Sequence, residues 1–448
     1  MVATTMLVAA PFLPASAATF GAAVLSYDAA LLSQFNLINF GNLNTTNSGV
    51  SGRVVVGGNY TTTGGSTDCY ATTCTGNTTA GVDANGNPTN SSGANGYGAV
   101  TVFGNIVGGL SNANGGDIDV KGSVSGNTFN LNSKGGLNLG GASSSSTVAN
   151  GATEVRTTQT NPQGQAPNQT AGFTVQTGDT MAQVFAPFGN ANTLSSTFSN
   201  PLINLSRGIA ALPGTPGVKP EALPASNATF FTAATDYTYN GYKYGVVTTT
   251  MANLALQSSK FTGVANGAGD AATFVIITGD TGDLLPTLNY NDPKVIYNFV
   301  GATTLKFNGA WTGSILAPLA TITQQGGALN GSIVVAAFNQ TKELLSSDSF
   351  TGDLGGLTGV QFSAVPEPAS LLLFGAGAAA TAGSAAAASR RAYATRLPGL
   401  RPASTASIPS STRFPIAARV STVALPKCGS STTFSSAKYR EAPRGSSL

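Results

Sequence analysis

The length, composition and charge of this chain exclude several classes of function. It has 448 residues, no histidine, and only 9% charged residues, against about 25% in an average soluble domain. Without histidine, the Ser-His-Asp and Cys-His mechanisms are excluded. Residues 1–389 hold 11 basic and 17 acidic side chains, a net charge of −6. This negative net charge argues against nucleic acid as a partner, since nucleic-acid binding depends on clustered Lys and Arg.

The amino terminus has the pattern of an export signal. An apolar run from Met6 to Leu13 precedes Ala15-Ser16-Ala17, the small-x-small pattern of a signal-peptidase site. Residues 1–17 are therefore predicted to be a signal peptide. The positively charged start that is typical of such peptides is missing, so either translation begins upstream or Met1 is an internal methionine.

Residues 18–355 predict a mainly β domain. Short apolar runs alternate with Gly, Asn and Ser, as in GRVVVGGNY (52–60) and GAVTVFGNIVGG (98–109). Their close spacing favours a β-solenoid, or β-helix, in which each coil covers the next, with a sandwich or jelly roll as the alternative. Residues 143–168 are polar and predict a loop. Apolar spacing from Leu202 to Leu212 predicts one or two short helices between residues 180 and 212, packed on the β core.

Cys69 and Cys74 lie close together in CYATTC. In an oxidising compartment we expect them to form a disulfide, with two free thiols in a loop as the alternative. Neither histidine nor a further nearby cysteine is present to complete a zinc site. No cofactor and no metal are expected from the sequence.

Four tyrosines flank Asn240-Gly241, a dipeptide that predicts a hairpin turn. Side-chain alternation places Tyr237 and Tyr239 on one face, and Tyr242 and Tyr244 on another. Tyrosine offers flat apolar area with a hydrogen-bonding tip, so all four are candidates for ligand contact. Packing between the two hairpin strands is the interpretation that the pattern favours.

Two acidic pairs are candidates for chemistry. Asp117 and Asp119, in GDIDVKG, would share one face of a strand and could serve as the acid and base of a polysaccharide-active enzyme. No aromatic platform for a sugar lies nearby, and solvated strand-edge acids are the simpler interpretation. Asp280 and Asp283, followed by Asp292, are weak candidates for a calcium loop. Their spacing matches no known calcium repeat, and ordinary turn residues are the alternative.

The carboxyl-terminal part carries the most specific motif. Pro366, Glu367 and Pro368 precede an apolar stretch at 371–388 and the pair Arg390-Arg391. Residues 356–391 therefore resemble a PEP-CTERM sorting signal. The resemblance makes 371–388 a transmembrane helix, which is long enough to cross a bilayer. The resemblance implies export in a Gram-negative bacterium that makes exopolysaccharide, and processing by an exosortase, a membrane cysteine protease-transpeptidase. Residues 392–448 are expected to be a disordered basic tail, or the product of a frameshift or misplaced stop.

The upstream domain resembles the choice-of-anchor A family of adhesive domains. The likeness is carried by FNLINFGN (35–42), VSGRVVVGGNY (50–60), WTGSILAP (311–318) and NGSIVV (330–335). It implies a β-helical surface module. Each of these segments also has a structural explanation, because Val and Ile fill a core and the glycines at 57, 58 and 331 supply turns that need positive φ.

Together these features predict an exported, surface-anchored adhesive protein without catalytic activity. It would act in attachment or in the exopolysaccharide matrix of a biofilm. Its partner would be an extracellular polysaccharide or another surface ligand, and its carboxyl-terminal helix would anchor it in the membrane. The alternative is a β-solenoid polysaccharide-active enzyme that uses paired carboxylates. A protein that binds ice or a mineral surface would need a flat ladder of regularly spaced Thr, and the TTT stretches at Thr61 and Thr248 are too few for one.

Overall fold

The fold is known from a computed structural model. It describes residues 17–64, 66–68, 98–112, 118–125, 128–141, 148–157, 168–169, 174–176, 185, 194, 196–214, 218–223, 231–233, 237–256, 261–284, 287–290, 292–345 and 349–363. All of them fall within one compact unit of the chain, Met1–Glu367.

The described residues form short strands and a few helices. The strands of the first part are β1 Ala17–Thr19, β2 Phe35–Asn39, β3 Leu43–Thr46, β4 Arg53–Val56, β5 Tyr60–Thr63, β6 Ser66–Asp68, β7 Val100–Val102, β8 Ile106–Val107, β9 Leu110–Asn112, β10 Ile118–Val120, β11 Val124–Ser125, β12 Thr128–Leu139, β13 Val148–Thr157, β14 Asn168–Gln169 and β15 Thr174–Gln176. Those of the second part are β16 Glu221–Ala222, β17 Phe231–Thr232, β18 Tyr237–Tyr239, β19 Tyr242–Thr250, β20 Val264–Ala265, β21 Ala272–Thr278, β22 Thr281–Leu284, β23 Val295–Val300, β24 Thr304–Phe307, β25 Trp311–Thr312, β26 Ser314–Gln324, β27 Leu329–Asn330, β28 Ile333–Gln340, β29 Leu344–Leu345 and β30 Gln361–Ser363. The helices are α1 Ala22–Gln34, α2 Ser196–Ala211 and α3 Met251–Leu256, with 3₁₀ turns at Leu212–Gly214 and Gly355–Leu357.

The strands build a parallel β-solenoid with three sides, which confirms the mainly β solenoid prediction over the sandwich. The described pairs are parallel except β1 with β30 and β18 with β19. The first side is the stack β16-β19-β21-β23-β26-β28-β2-β4-β7-β10-β12-β13-β15. The second side is β22-β24-β26-β28-β3-β5-β8-β11, to which β26 and β28 contribute their second halves. The third side contains β25-β27-β29, β17-β20 and β6-β9-β12-β13-β14.

The order of the coils in space differs from their order in the chain. Strand β28, near the end of the domain, pairs with β2, near its beginning, in the register Leu37↔Ile333. Asn36 joins the two parts, because its buried amide Nδ2 donates to the carbonyls of Gly331 and Leu345, the latter at 2.9 Å. Residues 221–345 and residues 35–176 therefore form two consecutive blocks of one stack.

The interior of the solenoid is apolar and aromatic. In residues 221–345 its centre is Trp311, whose side chain is 1% exposed. The rings of Tyr297 and Phe307 lie 5.0 and 5.1 Å from it in edge-on contact. Inward side chains from all three sides complete this core, whose burial supplies the main stabilising free energy.

A helical layer covers the first side. Outward side chains of consecutive strands there, Ile38, Val55 and Val334, are at most 1% exposed because α1 and α2 pack on them. The spaced apolar residues of α2 point into this contact: Leu202, Leu205, Ile209 and Leu212 are all buried. The prediction of a helix packed on the β core is therefore confirmed. The additional helices α1 and α3 were not predicted.

Gly-Asn pairs mark the corner between the first and second sides. The main-chain N–H of Asn59 donates to Asn42 Oδ1, that of Asn105 to Asn59 Oδ1, and that of Ser123 to Asn105 Oδ1, at 2.9, 2.9 and 2.7 Å. The expectation of positive φ is confirmed at Gly331 (φ 129°) but is wrong for Gly57 and Gly58. These two glycines are instead required by close approach, because a Cβ on Gly57 would lie 2.2 Å from the Phe40 carbonyl oxygen.

One further expectation is corrected, and another is not tested by the described residues. Residues 143–168 are not only a loop, because β13 occupies 148–157 and pairs with β12. Within the described ranges, no helix is both long and apolar enough to cross a membrane. The predicted span at 371–388 lies outside those ranges.

Candidate functional site

The second side carries a row of side chains that point away from the core. Strand pairing places eight positions in direct register, one per coil. At about 4.8 Å per strand the row is roughly 33 Å long. We call it the polar ladder, and its members in spatial order are Asp283, Lys306, Thr323, Asn339, Asn44, Thr61, Val107 and Ser125.

The middle of the polar ladder is held by hydrogen bonds between neighbouring coils. Asn44 Nδ2 donates to Asn339 Oδ1 at 2.9 Å, and Asn339 Nδ2 lies 3.5 Å from Thr323 Oγ1. Asn44 and Ser125 are exposed, and Thr61, Thr323 and Asn339 are half-buried. The side chains thus form a fixed array of amides and hydroxyls at the surface.

The charges of the polar ladder are confined to one end. Lys306 Nζ lies 3.3 Å from Asp283 Oδ1, with the two side chains 45% and 61% exposed. The other six positions are uncharged. A neighbouring row on the same side, which runs through Thr281, Thr304 and Thr321, is uncharged as well. The surface is therefore polar and nearly neutral.

This array is not apparent from the sequence because its members are distant in the chain. Thr61 does belong to a ladder, but its spatial neighbours Asn44, Asn339 and Thr323 come from two blocks of sequence, which meet on this side where β28 pairs with β3. Thr248, by contrast, lies on the first side beside Ile276. The available signal was polar residues at alternate positions in LNTT and YTTT, with buried partners between them.

The predicted tyrosine hairpin is present. Asn240 and Gly241 have φ of 50° and 83° at its turn. Tyr237 pairs with Tyr244 and Tyr239 with Tyr242, and cross-strand partners point to the same side. The four tyrosines therefore share one face, and the expectation of two faces is wrong.

Most of this tyrosine face is occupied by the protein itself. Tyr244 is fully buried and Tyr237 is 6% exposed. The hydroxyl of Tyr244 accepts the N–H of Gly356 at 2.9 Å. Tyr239 and Tyr242 are half-buried, so ligand contact remains a prediction chiefly for these two residues.

Of the carboxylate pair of the enzyme alternative, the described member Asp119 does not line an open groove. Asp119 is fully buried, and its carboxylate accepts a hydrogen bond from Asn138 Nδ2 at 2.6 Å. Asp117 lies outside the described residues. A polysaccharide chain could not reach Asp119 without displacing the residues that cover it.

The weak calcium candidates are separated. Asp280 and Asp283 are exposed at the start of β22, where Asp283 contacts Lys306. The carboxylate of Asp292 instead accepts the main-chain N–H groups of Asn266 and Lys294, at 2.7 and 3.0 Å. Within the described ranges, His, Cys, Asp and Glu nowhere gather in threes around a point that could hold a metal.

A buried polar cluster lies inside the solenoid around Asp68. Its carboxylate accepts hydrogen bonds from the Tyr60 hydroxyl at 2.6 Å, the Val50 N–H at 3.0 Å and the Ser66 hydroxyl at 3.0 Å. Burial raises the pKa of the Asp68 carboxyl to about 6, although these hydrogen bonds lower it. Sequence reasoning missed this cluster because an Asp at a strand end in a polar segment is indistinguishable from a turn residue.

Two sets of predicted residues lie outside the described part of the chain. They are the disulfide candidates Cys69 and Cys74, and the sorting-signal residues Pro366, Glu367, Pro368, Arg390 and Arg391. Their roles remain predictions.

Comparison with known proteins adds two matches. Residues 28–345 match the family model described as Putative Ice-binding-like adhesive domain. Residues 364–391 match the PEP-CTERM protein-sorting motif. No curated protein and no solved structure matches the chain. An adhesive domain followed directly by this sorting motif indicates an exported cell-surface protein.

Proposed function

The chain belongs to the ice-binding-like adhesive domain family, and from that premise we propose that it attaches cells to extracellular polysaccharide and contributes to the biofilm matrix. The observation that carries this proposal is the polar ladder, an exposed and nearly neutral face on a rigid solenoid. Such a face suits many weak contacts made at once, in which avidity replaces tight binding at a single pocket.

We further propose how the protein reaches its site. Residues 1–17 direct export, residues 371–388 cross the membrane, and an exosortase-type protease of a Gram-negative envelope acts at Pro366-Glu367-Pro368. The match to the sorting motif at 364–391 supports this order of events. In an oxidising exterior, Cys69 and Cys74 would be joined.

We propose that the protein works without catalysis. The buried position of Asp119 and its hydrogen bond to Asn138 support this view over a polysaccharide-active enzyme. Catalysis by the pair Asp117 and Asp119 would require the residues that cover Asp119 to move away. We therefore expect that incubating the protein with polysaccharide releases no reducing ends.

The intact mass of the protein from the cell envelope and from the medium tests export and sorting. We expect a mature form that lacks residues 1–17 and everything beyond the Pro366-Pro368 tripeptide. Replacing Pro366 and Pro368 with Ala should abolish processing and surface display. Pro398→Ala with Pro402→Ala, a proline pair outside the matched motif, is the control and should change neither. Full-length protein in the cytoplasm would overturn the proposal.

A further inference from the structure

We propose that the polar ladder binds a neutral, extended polysaccharide, with the sugar chain running along the solenoid axis from coil to coil. This inference rests on the proposed function and assigns its ligand class and binding surface. The contact would run through Thr323, Asn339, Asn44 and Thr61, the uncharged middle of the row.

Accessibility distinguishes this side from its neighbour. On the first side, outward residues such as Ile38 and Val334 are at most 1% exposed beneath α1 and α2. On the second side the outward Asn44, Thr46 and Thr63 are exposed. A ligand can therefore reach Asn44 and the exposed parts of the half-buried Thr61, Asn339 and Thr323 from solvent.

Charge selects the chemical class of the ligand. Lys306 is the one cation of the polar ladder, and Asp283 already neutralises it at 3.3 Å. An acidic polysaccharide would meet no free positive charge in the row, and a cationic one would meet no free negative charge. Amides and hydroxyls both donate and accept hydrogen bonds, which matches the hydroxyl groups of a neutral sugar.

Order and repetition favour an extended chain over a single sugar. The hydrogen bonds from Asn44 to Asn339 and toward Thr323 fix the side chains before binding, which lowers the entropic cost of ordering them on contact. From β22 to β5, one polar position of the ladder recurs in each coil, at about 4.8 Å. The ladder offers no aromatic platform on which an isolated ring could stack, so affinity must come from many equivalent hydrogen bonds along a repeating polymer.

The test measures binding of the mature protein, purified as it is recovered from cells, to three probes. These are hydroxyethyl cellulose and the neutral and acidic fractions of the producing bacterium's extracellular polysaccharide, separated by anion exchange. The variant Thr323→Val/Asn339→Ala/Asn44→Ala/Thr61→Val removes the hydrogen-bonding groups and adds no charge. We expect retention by the neutral probes in affinity electrophoresis, and at least about tenfold weaker binding for the variant, since several hydrogen bonds are lost together.

Matched controls separate binding from folding. Thr312→Val with Thr232→Val removes two hydroxyls from the third side and should leave binding unchanged. If the fourfold variant is unstable, Thr61→Val alone should still weaken binding about two- to fivefold at an unchanged melting temperature. Equal affinity of the fourfold variant and wild type would overturn the inference, and so would a preference for the acidic fraction.

Two outcomes distinguish this inference from the function on which it rests. Wild-type protein that reaches the surface and supports attachment, but is retained by neither neutral probe, overturns the ligand assignment and leaves the proposed function standing. Protein that neither reaches the surface nor supports attachment overturns the function itself. Inhibition of ice growth that the fourfold variant loses, without any binding of neutral glycan, would also overturn the assignment, because the surface would then recognise ice.

Discussion

Asp68 is a carboxyl group placed where no solvent reaches it. It is fully buried beside Tyr60, and its pKa is raised to about 6, whereas an aspartate in the unfolded chain titrates near 3.9. The folded state therefore favours the protonated acid. Its contribution to stability is complete below the unfolded pKa and is lost as the pH rises through about 6.

Replacing Asp68 with Asn should flatten the pH dependence of stability. The wild type should lose roughly 2 kcal/mol through this group between pH 4 and pH 7, and Asp68→Asn should not. Urea titrations at several pH values give the free energy of unfolding for both proteins. Burial also raises the pKa of Asp28, so the difference between variant and wild type is the informative quantity. Parallel curves for the two proteins would contradict the prediction.

Corner glycines were predicted as turn residues, but glycine is required there because the backbones of consecutive coils come too close for a Cβ atom. A Cβ on Gly122 would lie 2.3 Å from the carbonyl oxygen of Gly104 in the preceding coil. Periodic Gly-Asn spacing in the sequence indicates corners. It cannot indicate that consecutive corners touch, because that depends on the coil-to-coil stacking.

Gly122→Ala should therefore separate two coils and destabilise the protein by about 1–3 kcal/mol. Gly214→Ala is the matched control, since a Cβ there meets nothing within 4 Å, and it should change stability by less than about 1 kcal/mol. Thermal melts of both variants provide the comparison. The contact explanation is wrong if the two substitutions have equal effects.

At the scale of elements, α2 is attached to the solenoid by a reciprocal pair of hydrogen bonds. Ser206 Oγ donates to Asn298 Oδ1 at 2.6 Å, and Asn298 Nδ2 donates to the Ser206 carbonyl at 2.8 Å. Both side chains are buried among apolar neighbours. In such surroundings an amide left without its partner costs more than the hydrogen bond itself contributes.

A double-mutant cycle on this pair should show coupling. Ser206→Ala and Asn298→Ala should each destabilise the protein by about 1–3 kcal/mol, and the double variant by less than their sum. Ser33→Ala on α1, an exposed serine that bonds its own helix, is the control and should have a small effect. Additive losses, measured by denaturant titration, would show that the two residues act independently.

Elements were predictable where the local pattern was strong. The spacing of Leu202, Leu205 and Ile209 identified α2, and Asn240-Gly241 identified the hairpin, because both signals lie within a few residues. Helix α1 was missed because its small apolar residues follow directly on the predicted export signal. Strand β13 was missed because a polar composition suggested a loop, whereas pairing with β12 determines its conformation.

At the scale of the whole molecule, the order of the coils could not be predicted from sequence. Residues 221–345 stack first and residues 35–176 follow, joined where β28 meets β2 and β3. Periodicity shows that coils exist but not which coil contacts which. For the same reason the polar ladder was not predictable, since it crosses this join between Asn339 and Asn44.

This order reverses the usual relation between chain position and stability. In a sequential solenoid the chain ends lie at the ends of the stack and open first. Here β2 and β28, near the ends of the domain's sequence, lie in the middle of the stack, whereas β15 and β16, central in sequence, are the outermost described strands of the first side.

Amides of Leu37–Asn39 and Ile333–Val335 should therefore exchange at least about tenfold more slowly than those of Thr174–Gln176 and Glu221–Ala222. Hydrogen exchange followed by mass spectrometry measures this gradient, and protection that instead rises from both chain ends toward the middle of the sequence would contradict the joined stack.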